Sequence, residues 1–102
     1  MTDILLVAAT EPELCGHSGL VCGVGPVEAA AMVATRLAAG RPAAVLHVGV
    51  AGARRGSGVE VLDVVVGDTA IYEDLTTSRR LAPTSATPHP LLLGAARTAL
   101  PA

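Results

Sequence analysis

Three short runs of continuous apolar residues constrain the fold of this chain more than any other feature. The runs occupy residues 4–9, 19–25 and 43–50, and each ends in polar or glycine-rich residues. A run of this length without polar alternation is typical of a strand that is covered on both faces, as in a parallel sheet. The sequence therefore predicts at least three buried strands.

The segment between the second and third runs predicts a helix. Pro26 suits the first helical position, Glu28 suits the positive N-terminal end, and Gly40 suits the residue that stops the helix. The body of the segment is otherwise polar only at Thr35 and Arg36. We therefore expect this helix to be buried on most sides, with its alanines close to a sheet.

The rest of the chain predicts a further strand and a final helix. Residues 61–75 are rich in valine and form the longest β signal, with a bulge expected at Gly67. Residues 76–90 contain three prolines and are expected to form a loop, and a helix then runs from Pro90 until Pro101 stops it. This order of elements predicts a single α/β domain over residues 1–102, with a right-handed crossover through the first helix.

Charge and the N-terminus exclude several classes of partner. The formal net charge is −2, so no basic face is available for phosphate backbones and we expect no nucleic-acid partner. The first ten residues include Asp3 and only a short apolar run, which predicts neither a signal peptide nor a membrane span. Two cysteines, Cys15 and Cys22, without a signal peptide indicate a reduced, cytoplasmic protein. Whether they pair stays open from the sequence.

The apolar content predicts self-association. The chain is 51% hydrophobic but contains a single aromatic residue, Tyr72. The core must therefore consist of alanine, valine and leucine, each of which buries little area. So much apolar surface on so short a chain predicts a partner, and we expect a homo-oligomer.

Known cofactor and metal motifs do not fit the chain. The "GVGPVE" segment has Glu28 where a dinucleotide fingerprint needs its third glycine, and no P-loop triplet is present. Cys15, His17 and Cys22 match no standard zinc spacing. His47 lies within a predicted buried strand and is expected to be a core histidine. We therefore expect no metal and no cofactor.

The carboxyl ends of the predicted strands are the expected ligand site. Glu11 and Glu13 directly follow the first strand. A glutamate walled by apolar residues has a raised pKa and acts as a general acid or base, whereas the alternative is an ordinary acid at a helix entry. The stretch "HVGVAGARRGSG", residues 47–58, follows the third strand. Its glycines predict either a close backbone approach to a ligand or turns alone.

Three segments carry a resemblance to a known family. "ILLVAATEPE", "CGVGPVEAA" and "LHVGVAGARRGSGVEVLDVVVGDTAIYEDL", in that order, resemble the nucleoside phosphorylase/nucleosidase superfamily over residues 4–75. The "AGA..GSG" turn followed by "Y.DL" is more similar to the futalosine hydrolases of menaquinone biosynthesis than to the methylthioadenosine/S-adenosylhomocysteine nucleosidases. The resemblance implies a three-layer, partial nucleoside phosphorylase-like fold with a mixed, mostly parallel sheet.

The resemblance also implies a reaction. Members of this superfamily cleave the N-glycosidic bond of a purine nucleoside through a ribosyl cation-like transition state, and in its hydrolases water is the attacking group. Glu13 matches the water-activating glutamate, and the backbone at Ala51 and Gly52 is expected to lie against the base. Val50 stands where phosphorylases tend to place a phosphate-binding serine, which favours hydrolysis. Tyr72 is expected near the substrate mouth and a subunit interface.

The chain departs from the family at three places. The ribose-binding Met-Glu segment and the acid that protonates the leaving base belong to the family's second half, so we expect a truncated domain. Nine residues separate Glu13 from Gly23, where the family inserts a helix and strands, and Leu62 replaces a usual glycine beside Asp63. Alternative functions are a catalytically inactive remnant that binds a nucleoside or a partner chain, a methylthioadenosine/S-adenosylhomocysteine-type nucleosidase, and a generic α/β module.

Overall fold

The computed structural model describes residues 3–73 and 85–100. These residues form a small α/β structure with a parallel three-stranded sheet and two helices, which confirms the predicted fold class. The backbone divides into two compact units, Met1–Ala53 and Arg54–Ala102, and each is described by itself. The single-domain organisation stays a prediction, as does the handedness of the crossover.

The first unit contains the parallel sheet. Its elements are β1 (Ile4–Ala8), a single 3₁₀ turn (Pro12–Leu14), β2 (Leu20–Val21), α1 (Pro26–Ala39) and β3 (Ala44–His47). The strand order is β2-β1-β3, and β1 is parallel to both neighbours. Val7 is in register with Leu20 on one side and with His47 on the other. Because all three strands run in the same direction, their carboxyl ends meet at one edge.

The core of this unit lies at the carboxyl end of β1. The buried hydrophobic side chains among the described residues are Val7, Ala8, Leu14 and Cys22. The backbone N–H groups of Val48 and Cys22 continue the ladder past the strand ends, donating to Val7 O and Ala8 O at 2.9 Å each. The buried side chains of the unit therefore surround the edge where Glu13 and the residues after β3 lie.

Helix α1 has the predicted bounds but not the predicted burial. It begins at Pro26 and ends before Gly40, yet none of its residues is buried, and Val27 is 78% exposed. Strand β3 is similarly open, with Val45 and Leu46 43% and 48% exposed. The expectation of burial was wrong for both elements because the described residues of this unit supply only a three-stranded sheet, which cannot cover a fourteen-residue helix and its own edge strand.

The second unit contains a short antiparallel pair and a helix. Strand β4 (Ala70–Ile71) pairs with β5 (Ser85–Ala86), and α2 spans Pro90–Ala99. His89 caps α2, since its Nδ1 accepts a hydrogen bond from Leu91 N at 3.2 Å. The start of α2 at Pro90 confirms the predicted helix, whereas Pro101 lies outside the described residues.

The prediction of a long strand over residues 61–75 was wrong for most of its described part. Within residues 61–73 the chain is a strand only at Ala70–Ile71. Leu62 has a φ of +75°, which no strand accommodates, and it lies within a turn in which Glu60 N donates to Asp63 Oδ2 at 2.8 Å. The predicted loop over residues 76–90 contains β5, and the expected bulge at Gly67 lies in irregular backbone rather than in a strand.

Neither of the two described helices combines the length and the apolar content that spanning a membrane requires.

Candidate functional site

The 3₁₀ turn after β1 carries the main candidate side chain, Glu13. Leu14 anchors this turn in the core, where it is 3% exposed. Gly19 permits the anchoring, because a Cβ at that position would lie 2.9 Å from Leu14 Cδ2 and 2.7 Å from Leu6 O. The half-buried Glu13 is therefore held on a fixed backbone at the carboxyl end of β1.

The carboxylate of Glu13 accepts three hydrogen bonds. Its Oε2 accepts from Thr10 N at 3.0 Å and from Thr10 Oγ1 at 2.8 Å. Its Oε1 accepts from Val50 N at 3.1 Å. Thr10 follows β1 and Val50 follows β3, so the carboxylate links the carboxyl ends of two neighbouring strands.

The glycines after β3 serve different purposes. A Cβ at Gly49 would lie 3.0 Å from Glu13 Oε1 and 3.5 Å from Glu13 Cδ, so this glycine makes room for the carboxylate. A Cβ at Gly52 would meet nothing within 4 Å, and the space beside it is open. Gly56 and Gly58, in the second unit, have φ values of +82° and +84°, which side chains rarely adopt. Gly49 is therefore the glycine of this stretch that lies close to another described group, Glu13, while the predicted approach of Ala51 and Gly52 to a ligand stays a prediction.

The pKa of Glu13 is lowered from its ordinary value of 4.5. The largest cause is the hydrogen bond from the Thr10 hydroxyl, followed by the one from the Val50 N–H. Partial burial raises the pKa, while the Thr10 N–H and the charge of His47 lower it further. Of the two alternatives left open from the residues, the raised pKa was wrong, because three donors stabilise the anion more than the apolar surroundings destabilise it. At neutral pH Glu13 is an anion.

His47 lies at the end of β3 and is exposed. Its charge acts on Glu13. The expectation of a core histidine was wrong, because β3 is an edge strand of the described sheet and no residue within 3–73 or 85–100 covers this side chain. His47 therefore belongs to the surroundings of the carboxylate, a role that its position in an apolar run did not indicate.

The other predicted site residues are placed as follows. Val50 is 87% exposed, and Ala51 and Gly52 are exposed beside it. These residues and Gly49 form what we call the 49–52 segment, which lies next to Glu13 through the Val50 N–H. Tyr72 is 46% exposed and belongs to the second unit. Glu11 is exposed at the start of the 3₁₀ turn.

Thr10 is the functional candidate that sequence reasoning missed. A signal for it was present, since Thr10 and Glu13 have the T-x-x-E spacing of a capping box. In that motif the glutamate side chain accepts from the backbone N–H of the threonine, as Glu13 does. Only this half of the motif is present, because the cap residue of the turn is Glu11, which makes no side-chain cap hydrogen bond. Glu13 nevertheless lies in the first turn, the helix-entry position that the residues left open as an alternative.

The predicted absence of a metal was based on spacing. Within residues 3–73 and 85–100 no three His, Cys, Asp or Glu side chains come together in a way that could hold a metal ion. Cys15 and Cys22 are free thiols, the first exposed and the second buried.

The hydrogen bonds to the Glu13 carboxylate determine which further groups it can bind. A carboxylate has about four acceptor positions, two on each oxygen. Donors among the described residues occupy three of them, and the fourth, which has no donor among those residues, is on Oε1. An anion with one free acceptor position can hold a water molecule and take its proton, and it can stabilise a developing positive charge nearby. The open 49–52 segment leaves space beside it for a flat ring.

Comparison with known proteins adds one match. The family model described as the phosphorylase superfamily matches residues 14–102, which is most of the chain. The match begins one residue after Glu13. No curated protein and no solved structure matches the chain.

Proposed function

The chain belongs to the phosphorylase superfamily, and from this premise we propose that it is a nucleosidase that hydrolyses the N-glycosidic bond of a purine nucleoside. Membership of the superfamily supports a nucleoside-processing role in general. The similarity of residues 51–75 to the futalosine hydrolases makes futalosine the proposed substrate and menaquinone biosynthesis the proposed context. Glu13 is the proposed catalytic residue, and it activates the attacking water.

One observation carries the proposal: the anionic carboxylate of Glu13 lies against the 49–52 segment at the carboxyl ends of β1 and β3. The carboxyl ends of parallel strands are where ligands bind in α/β sheets. The Val50 N–H holds the carboxylate at 3.1 Å, and the space beside Gly52 is open. A purine on the backbone of Ala51 and Gly52 brings its sugar toward the free acceptor position of Oε1.

Val50 favours water over phosphate as the attacking group. Its side chain has no hydrogen-bond donor, and its N–H already donates to Glu13. A phosphate ion at this position therefore finds no donor at residue 50. We accordingly expect inorganic phosphate to leave the rate of base release unchanged.

The test is the release of free hypoxanthine from futalosine by the purified protein. Glu13→Gln keeps the shape of the side chain and removes its charge, and we expect it to reduce kcat by about 10²-fold or more, as is typical when a general base is lost. Glu11→Gln is the matched control, because it removes the same charge two residues away from an exposed side chain. We expect the control to retain the wild-type rate.

The outcomes separate the proposed function from its alternatives. Turnover of methylthioadenosine or S-adenosylhomocysteine in place of futalosine identifies the other nucleosidase type. Binding of hypoxanthine without turnover of any substrate identifies an inactive nucleoside-binding remnant and contradicts the proposal. Equal rates for Glu13→Gln and wild type contradict the role of Glu13 even where the protein is active.

A further inference from the structure

We propose that Thr10 is a positioning residue, which holds Oε2 of Glu13 and thereby makes Oε1 the oxygen that takes the proton. This inference rests on the proposed function and deepens it, because it assigns the proton transfer to one atom. It also gives a role to a side chain that does not touch the substrate.

The geometry distinguishes the two oxygens of the carboxylate. Thr10 donates to Oε2 twice, through Oγ1 at 2.8 Å and through its backbone N at 3.0 Å. An oxygen of a carboxylate has about two acceptor positions, so Thr10 occupies both of those on Oε2. Val50 N occupies one position on Oε1. A water molecule that approaches the carboxylate therefore meets its free acceptor position on Oε1.

The backbone around Thr10 is held on both sides. Ala8, two residues before it, is fully buried, and Leu14, just after Glu13, is 3% exposed. Thr10 itself is half-buried. The carboxylate is thus held between two anchored points of the chain, and its orientation does not depend on Glu13's own side-chain torsions alone. Such preorganisation is what a reacting group needs.

Replacing the hydroxyl changes both the orientation and the protonation of Glu13. The Thr10 hydroxyl is the strongest of the groups that lower the pKa of Glu13. The other groups that act on this pKa are the Val50 and Thr10 N–H groups, which are uncharged, and His47 on β3. Removing the hydroxyl leaves these in place, so the pKa of Glu13 rises, and Oε2 gains a free acceptor position that competes with Oε1.

The experiment compares Thr10→Val, which has the same shape without the hydroxyl, with Thr10→Ser, which retains it. For Thr10→Val we expect kcat to fall about tenfold with KM little changed, since a displacement of 1 Å at a reacting group can cost about 10²-fold. We also expect the acid limb of the kcat profile to move to higher pH. Thr10→Ser should restore both quantities, which a purely structural effect of the side chain would not predict.

A titration of the Glu13 side-chain carboxyl carbon by NMR makes the test independent of turnover. The pKa of Glu13 should be higher in Thr10→Val than in the wild type and near the wild-type value in Thr10→Ser. If the wild type shows no turnover, the proposed function fails, and the titration still decides whether Thr10 controls the carboxylate. Thr10→Ala provides the same comparison if Thr10→Val does not fold.

Two results would overturn the inference. The first is an active wild type whose kcat and acid limb are unchanged by Thr10→Val. The second is a Glu13 pKa that is equal in the wild type and in folded Thr10→Val or Thr10→Ala. The hydrogen bond from the Thr10 hydroxyl would then have no effect on the carboxylate in solution.

Discussion

Replacing Gly49 with alanine tests whether Glu13 must stay where its hydrogen bonds hold it. The added Cβ would lie 3.0 Å from Glu13 Oε1, whereas relaxed carbon–oxygen contacts are about 3.3–3.6 Å. The oxygen must therefore withdraw by about 0.3–0.6 Å. Its hydrogen bond from Val50 N is already 3.1 Å long, and the withdrawal takes it beyond the ordinary range of about 2.7–3.2 Å.

The expected effect is a loss of activity without a matching loss of stability. The φ of Gly49 lies outside the left-handed region, so alanine fits the backbone and stabilises the fold by about 0.4–1 kcal/mol through the unfolded chain. The weakened contact of Glu13 offsets part of this gain, and we expect a melting temperature within about 4 °C of the wild type. Because a displacement of 1 Å costs about 10²-fold, we expect kcat to fall about tenfold. The pKa of Glu13 should rise, since the Val50 N–H lowers it in the wild type.

Gly67→Ala is the matched control for this substitution. A Cβ at Gly67 would meet nothing within 4 Å, and its backbone also lies outside the left-handed region. The control therefore makes the same chemical change without touching the carboxylate. The measurements are hypoxanthine release, thermal unfolding and the NMR titration of Glu13. A Gly49→Ala protein with the wild-type kcat and the wild-type Glu13 pKa would refute the argument.

Four further predictions follow from the described residues. Because folding lowers the pKa of Glu13, its contribution to stability is fully present above its ordinary pKa of 4.5 and is lost as the pH falls through the lowered value. The gap in melting temperature between wild type and Glu13→Gln should therefore narrow as the pH falls below 4.5, and a gap that stays constant or widens would contradict this. Leu62 has a φ of +75° and is 95% exposed. Left-handed backbone at a residue other than glycine costs about 1–2 kcal/mol, and glycine removes this cost but loses more conformational entropy on folding, so Leu62→Gly should stabilise the protein by about 0.5–1 kcal/mol. Leu62→Ala should not stabilise it. A thiol reagent should label the exposed Cys15 in the native protein and the buried Cys22 only after unfolding; equal labelling rates would show that Cys22 is accessible. Light scattering behind a sizing column should show concentration-dependent self-association, since most large apolar side chains of the described residues are exposed, and a monomer at all concentrations would count against it.

Local signals predicted the elements that depend on local chemistry. Pro26 and Gly40 bound α1 at both ends, because a proline starts a helix without losing a bond and a glycine stops it. The burial of α1 could not be predicted in the same way, since it depends on how much of a sheet is available to cover it. The strand expected over residues 61–75 failed for a related reason. Valine favours a β-strand only where a neighbouring strand is available to pair with it, and β4 is paired with a neighbouring strand over two residues.

The location of the candidate site was more predictable than its electrostatics. Parallel pairing of β1 with β3, with Val7 opposite His47, necessarily brings residues 10–13 and 49–50 to the same edge. Residue types alone could therefore indicate that Glu13 lies near the glycines. The direction of its pKa shift could not be read from them, because two of its three donors are backbone N–H groups, which every residue but proline has. The same limit applies to Thr10, whose importance depends on the direction of its hydroxyl.

A lowered pKa changes what Glu13 contributes to the proposed reaction. An efficient general base has a pKa near the working pH, so a glutamate that is a weaker base than usual removes a proton poorly from ordinary water. In a ribosyl cation-like transition state, however, the sugar carbon is strongly electrophilic, and water needs little help before the bond to the base has broken. What such a state needs throughout is a fixed negative charge, which a preorganised anion supplies without reorganisation. The donors on Glu13 lower its pKa and thereby keep it ionised at neutral pH. For the proposed reaction we therefore expect Glu13 first to stabilise the cation and then, as the base for the attacking water, to receive its proton at Oε1.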